Sequence, residues 1–415
     1  MTRRLTIAVF VAVAVHVLVP LATLVHPIPN EQGFPVSMLH AAPSSDIFFY
    51  LKSRDHFFSA EAPDAFSHFL RFFSHGVEVG QFVPVLSAPV FPIVLLVFDY
   101  GPDNTIPLAL TYVLLGCILS IVWLKWLHDR GLSLLWLVLF ALLPHSVWFT
   151  INLGTDLLAA VFFAGFYLSY VAPGRKDVQF SWALVFLILF VLTRPNGLSL
   201  LLFFITMECV RLDRASPWSR YLLPAGGVLA SIPLAVYYFP HLLAYTVGTT
   251  ELTHYGHTAP EYIHGIYESL PRWLDLILSW LSLVAAKILY FFGLRPTYGD
   301  TPLLIVLIRA APGIVFTIGF IYLVCRGSGR EKFFVAIYML PVLLGASQDR
   351  YSFPIQPILL LYAALACGRL FDHSMVFIKR SPRVEQAKNL SEEDSDSTRE
   401  QSSAPPGDDR STVPR

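Results

Sequence analysis

The chain has 415 residues, 55% of them hydrophobic and only 14% charged, with a formal net charge of zero. A soluble globular protein carries about 25% charged residues, so an ordinary water-soluble core is excluded. No basic stripe with interleaved aromatics is present, so nucleic acid is not an expected partner. The mean hydropathy of +0.59 and several apolar runs of bilayer length point to membrane spans. Hydrocarbon offers no water to satisfy the backbone, so such runs must be helices. The expected fold class is all-α, a polytopic helical membrane protein.

Arg3 and Arg4 precede a first span, about Leu5–Val25, and place the N-terminus in the cytoplasm. The clearest small-x-small match, Ala12-Val13-Ala14, lies inside that run, so an uncleaved span is expected. An extracytoplasmic stretch over 26–81 follows, with Phe66, Phe69, Phe72 and Phe73 interleaved with Asp64 and Arg71. That order suits a helix lying in the interface plane. Phe82–Phe98 is apolar but carries Pro84, Pro89 and Pro92, and is expected as a juxtamembrane or re-entrant piece.

Further spans are expected at Thr105–Trp126, Leu132–Asn152, Leu157–Val171 and Val178–Thr193, then a sixth before Arg211 and a seventh at Tyr221–Tyr238. This layout keeps Lys125, Arg130, Arg175, Lys176, Arg211, Arg214 and Arg220 inside, and counting Phe82–Phe98 as a crossing would invert them all. A second extracytoplasmic region covers 240–301. Trp273–Phe292 is long enough to span, but Asp275 and Lys287 interrupt it and loop charge favours an in-plane or re-entrant element. Leu303–Cys325, Phe333–Gly345 and Phe353–Gly368 complete about ten spans with both termini cytoplasmic. The membrane domain is expected over 1–370.

From Ser381 onward there are eight acidic and five basic residues and little to bury, so 371–415 is expected as a disordered cytoplasmic tail. Cys117, Cys209, Cys325 and Cys367 are dispersed and suit small buried hydrophobes.

On this layout the outer face collects Asp46, Glu78, Asp156, Arg194, a histidine group (His254, His257, His264), Arg295, Asp349 and Arg350. Asp46 is either an N-cap ahead of Ile47-Phe48-Phe49-Tyr50 or a catalytic carboxylate at the interface. Arg194, beside Pro195-Asn196-Gly197, either snorkels to headgroups or clamps a phosphate bidentately. Arg309 lies deep in an apolar helix and must face protein, water or a headgroup. Asp156 caps a span or lines a cavity, and Asp349 pairs with Arg350 or stands apart. The histidines lack an i, i+4 pair on a helix, so loop histidines are favoured over a metal site. No P-loop, GxGxxG, HExxH or GxSxG sequence is present.

Taken in order, several features resemble the GT-C superfamily of membrane glycosyltransferases. They are Asp46 after the first span, the Pro84–Pro92 segment, Pro144 with Asn152-Leu153-Gly154-Thr155-Asp156, Thr193-Arg194-Pro195-Asn196-Gly197, and Arg350-Tyr351 with Pro354 and Pro357. Within that superfamily the chain is similar to the protein O-mannosyltransferase and lipid A aminoarabinose transferase branch. Many members carry two adjacent acidic residues where this chain has Asp46 alone, and no large extracytoplasmic domain follows the last span. An oligosaccharyltransferase is therefore not expected. No cofactor is expected, and a divalent metal is not favoured.

The resemblance implies a polyprenyl-phosphate-sugar donor, an inverting transfer, and a protein, lipid or glycan acceptor. Asp46 is then the general base, Arg194 and Arg350 bind the leaving phosphate with Arg309 or Arg295 in reserve, and Tyr351, Glu78 and Asp156 contribute to substrate binding. The competing expectation is a transporter or flippase for a lipid-linked or amphipathic solute. It would show broken helices at mid-membrane or a polar path into the inner half of the spans.

Overall fold

The computed structural model describes residues 2–30, 34–40, 47–48, 50–51, 54, 90–101, 104–172, 180–194, 197–213, 270–294, 303–344 and 349–379. They are helical apart from turns and one two-stranded antiparallel hairpin, β1 (Ile28–Pro29) with β2 (Pro35–Val36). The helices are α1 (Arg3–Ala22), α2 (Val90–Val97), α3 (Ile106–Asp129), α4 (Leu134–Ala141), α5 (Pro144–Ile151) and α6 (Thr155–Phe166). After α6 a π-helical turn runs Tyr167–Val171. Then come α7 (Phe180–Thr193), α8 (Leu198–Asp213), α9 (Arg272–Phe291), α10 (Leu303–Arg326) and α11 (Gly329–Leu344). A 3₁₀ segment, Asp349–Ile355, leads into α12 (Gln356–Lys379).

Among the described residues, five helical stretches are long and apolar enough to cross a membrane: Arg3–Ala22, Ile106–Asp129, Leu134–Ile151, Val306–Arg326 and Arg350–Arg369. At 1.5 Å per residue, α3 is about 36 Å long, more than a bilayer's hydrocarbon core. Shorter apolar helices occupy Thr155–Val171, Phe180–Thr193 and Ser199–Val210. Large apolar side chains point outward along these helices, with Phe10 and Leu303 each 73% exposed. That surface would be intolerable in water and is at home against acyl chains. The chain is an all-α, multi-pass membrane protein. The expected seventh span, the in-plane helix near Phe66–Phe73 and the Ser381 tail lie outside the described residues.

Local chemistry explains how the helices meet. Thr2 caps α1 and also bonds to His128 Nε2 at 2.7 Å, which brings the start of α1 beside the end of α3. A side chain at Gly116 would collide with Thr150 and His16, so this glycine lets α1, α3 and α5 close up. A side chain at Gly319 would overlap the Leu359 carbonyl, which sets α10 directly on α12. Small residues commonly permit such approaches between membrane helices. The interior between α3, α6, α8 and α11 is aromatic. Trp123, Phe163, Tyr167 and Phe334 are all buried, with ring centroids 5.3 to 6.3 Å apart where Phe163 meets Tyr338, Phe334 and Tyr167.

The expected span Leu132–Asn152 is not one continuous helix. It breaks at Leu142–Leu143, between α4 and α5, because Pro144 has no N–H and biases its predecessor away from helical geometry. By contacts the chain divides into a unit Met1–Ala363 and a unit Ala364–Arg415. Of the second, the described part is the remainder of α12.

Candidate functional site

Two helix ends build a cluster of charged and aromatic side chains in the first unit. Asp156 lies in the first turn of α6, where a carboxylate complements the helix dipole. Arg194 directly follows α7, where the dipole favours a cation, and its N–H still bonds to Phe190 O at 2.8 Å. The chain then turns through Gly197, whose N–H reaches Arg194 O at 2.9 Å. Arg194 Nη2 forms an ion pair with Asp156 Oδ1, and the two side chains are 12% and 10% exposed. Arg194 Nε also donates to Thr155 Oγ1 at 3.1 Å.

Aromatic groups enclose this pair. The Arg194 guanidinium sits 5.0 Å from the Tyr351 ring centroid, and the Arg350 guanidinium sits 5.5 Å from the same ring. Tyr351 is held from behind, its carbonyl accepting from the Tyr338 hydroxyl at 2.7 Å. The Tyr112 hydroxyl donates to Gly154 O, just ahead of α6. Tyr112 and Tyr338 both lie within electrostatic reach of Asp156, and Tyr50 within reach of Tyr112. Tyr50 packs edge-on against Phe91 of α2 at 5.1 Å.

Four of the expected site residues, Asp156, Arg194, Arg350 and Tyr351, therefore converge. The convergence gives Arg194 a specific character. Its charge is already balanced by Asp156, so it presents less free positive charge than an isolated guanidinium would. Arg309 is 8% exposed within α10 and engaged with the protein. Asp46, Glu78, Arg295 and the three loop histidines lie outside the described residues, as does the Asp349 side chain. Among the described residues, no group of three or more His, Cys, Asp or Glu is placed to hold a metal.

A second polar cluster lies at the opposite end of the same helices. The Tyr170 hydroxyl donates to Glu208 Oε1 at 2.6 Å, Arg330 donates to the Tyr170 carbonyl, and its guanidinium sits 4.8 Å from the Tyr170 ring. Beside it, Glu331 accepts from Tyr362 at 2.7 Å and from Ser328 at 2.6 Å. The Tyr167 hydroxyl lies within electrostatic reach of Glu331, Tyr362, Arg130 and Arg330.

None of Tyr170, Glu208, Arg330 and Glu331 is among the site residues expected from sequence, nor are Tyr112, Tyr338 and Tyr50 at the first cluster. One signal was available: Ser328-Gly329-Arg330-Glu331 has the spacing of a capping box. The tyrosines carried none, since inside an apolar run they contribute to the hydrophobic pattern.

No protein-family model, curated protein or solved structure matches the chain. The helices and their apolar exterior define its class, a multi-pass membrane protein.

Proposed function

We propose that the protein is an integral-membrane glycosyltransferase that moves a sugar from a polyprenyl-phosphate donor to an acceptor hydroxyl on the extracytoplasmic face. The observation that carries this reading is the clustering of Asp156, Arg194, Arg350 and Tyr351 at one end of the bundle. Buried charge at a membrane helix end is costly and marks function. In this reaction the acceptor oxygen attacks the anomeric carbon, the bond from that carbon to the phosphate oxygen breaks, and the lipid phosphate leaves with the electron pair. The acceptor's proton passes to a carboxylate, for which Asp46 is the candidate. Asp46 precedes Tyr50 by four residues, a reach of about 14 Å at full extension.

Arg350 supplies the phosphate-directed charge, and the neutralised Arg194 fixes Tyr351 against it. Arg350→Ala therefore raises the donor KM, whereas Asp46→Asn abolishes turnover while leaving expression and folding intact. Both are measured with purified protein in nanodiscs and a panel of radiolabelled polyprenyl-phosphate sugars. Normal turnover by Asp46→Asn removes it as the base. Absence of transfer from every donor, together with unchanged surface glycans in a deletion strain, removes the enzymatic reading.

A second reading, a transporter or flippase for a lipid-linked or amphipathic solute, is favoured by the helix break at Leu142–Leu143 and by the Glu208–Tyr170–Arg330 cluster. Both are features that such a path requires. Its test is translocation of a labelled lipid-linked sugar in proteoliposomes without acceptor.

A further inference from the structure

Between the two charged ends, beside the break separating α4 from α5, lies a small cavity lined by Ser120, Ser146 and Gln356 among apolar residues that include Leu143 and Ala160. Counted as the space a water molecule's centre occupies, it measures about 10 Å³. Gln356 is 1% exposed. Its Nε2 donates to Ser352 Oγ at 3.0 Å and contacts His145 Nδ1 at 3.2 Å, while its Oε1 is buried with no hydrogen-bond partner. On the other side, Ser120 Oγ lies 3.3 Å from His16 Nε2, and His16 Nδ1 lies 2.8 Å from Ala12 O. Ser146 donates to Leu143 O at 2.8 Å.

We propose that this cavity is a binding site for one buried water, which donates to Gln356 Oε1 and to Ser120 Oγ and so joins His16 and His145 into one hydrogen-bonded chain.

Three considerations select water. The wall is mostly apolar, but a cavity of roughly 10 to 15 Å³ holds one water where at least two polar groups reach it, and here Gln356 Oε1 and Ser120 Oγ do. The unmet group is an acceptor, so the occupant must donate. No carboxylate lines the cavity, so a bare cation would be desolvated without compensation.

The chain also fixes its own polarity. With His16 Nδ1–H donating to Ala12 O, its Nε2 accepts from Ser120. With the Gln356 amide donating to His145 Nδ1, the proton of that ring is on Nε2. The two histidines are thus opposite tautomers, and through Gln356 and Ser352 the chain reaches the 3₁₀ segment that carries Arg350 and Tyr351.

The test uses the full chain in bilayers with ¹⁵N-labelled histidine and glutamine, read by solid-state NMR. The expected spectrum shows His16 protonated on Nδ1, His145 on Nε2, and a magnetisation-transfer peak from water to the Gln356 amide. Ala160→Val fills the cavity without touching any hydrogen-bonding group, and is expected to abolish the water peak and shift the resonances of both histidines. Ala160→Gly keeps the peak. If Ala160→Val fails to fold, the wild-type tautomers and water peak decide alone. A dry Gln356 amide, identical tautomers, or resonances that move on exchanging sodium for a large organic cation overturns the proposal.

Discussion

Asp156 and Arg194 sit 38 residues apart and owe their meeting to two helix termini of opposite polarity. Each is almost out of solvent, so removing one partner strands the other's charge in a poorly polarisable site. That loss costs about 3 kcal/mol or more, whereas removing both costs less than the sum. Asp156→Ala and Arg194→Ala are each expected to lower the thermal midpoint in detergent sharply, with the double variant recovering part of the loss. Strictly additive shifts would show that the pair does not interact. Tyr338→Phe removes only one neutral hydrogen bond, to the Tyr351 carbonyl, and costs about 1 kcal/mol. Its larger expected effect is on donor KM, because the backbone of Tyr351, whose ring both guanidinium groups approach, then loses the bond that anchors it.

At the scale of elements, α11 shows how a local signal does long-range work. Ser328 accepts from the Glu331 N–H at 3.3 Å and donates to its carboxylate, which also receives Tyr362 from α12. Ser328→Ala is expected to cost about 1 kcal/mol as a lost cap and to speed amide exchange in the first turn of α11. Unchanged exchange there would mean that Tyr362 alone orders the carboxylate.

The positions of the helices were legible because apolar runs of span length leave few alternatives. The first two spans lie within a few residues of α1 and α3. The break inside Leu132–Asn152 was not read, since hydropathy averages across Pro144 and reports composition, not backbone continuity. At the site, Arg194 and Asp156 were visible as charges in apolar surroundings. Their pairing was not, because it depends on α6 packing against α7. Nor was the Glu208–Tyr170–Arg330 cluster, whose members come from three separate helices.

At the scale of the whole molecule, the two polar ends differ in kind. At one end, among the described residues, Arg194 is paired with Asp156 in aromatic surroundings. The other carries Lys125, Arg130, Arg326, Arg330 and Lys332 at the close of α3 and the α10–α11 turn. Positive loop charge is retained in the cytoplasm, so the Arg194 end is expected to face outward, where a lipid-phosphate donor would be used. Two positions test this directly. His26 is exposed just beyond α1, at the Arg194 end, and Asp129 is 60% exposed at the other. With Cys117, Cys209, Cys325 and Cys367 replaced, His26→Cys is expected to react with a membrane-impermeant maleimide in intact cells. Asp129→Cys is expected to react only after permeabilisation. The reverse pattern would turn the Asp156–Arg194 cluster toward the cytosol, where nucleotide-sugars are the common donors, and the extracytoplasmic transfer reaction would fall with it.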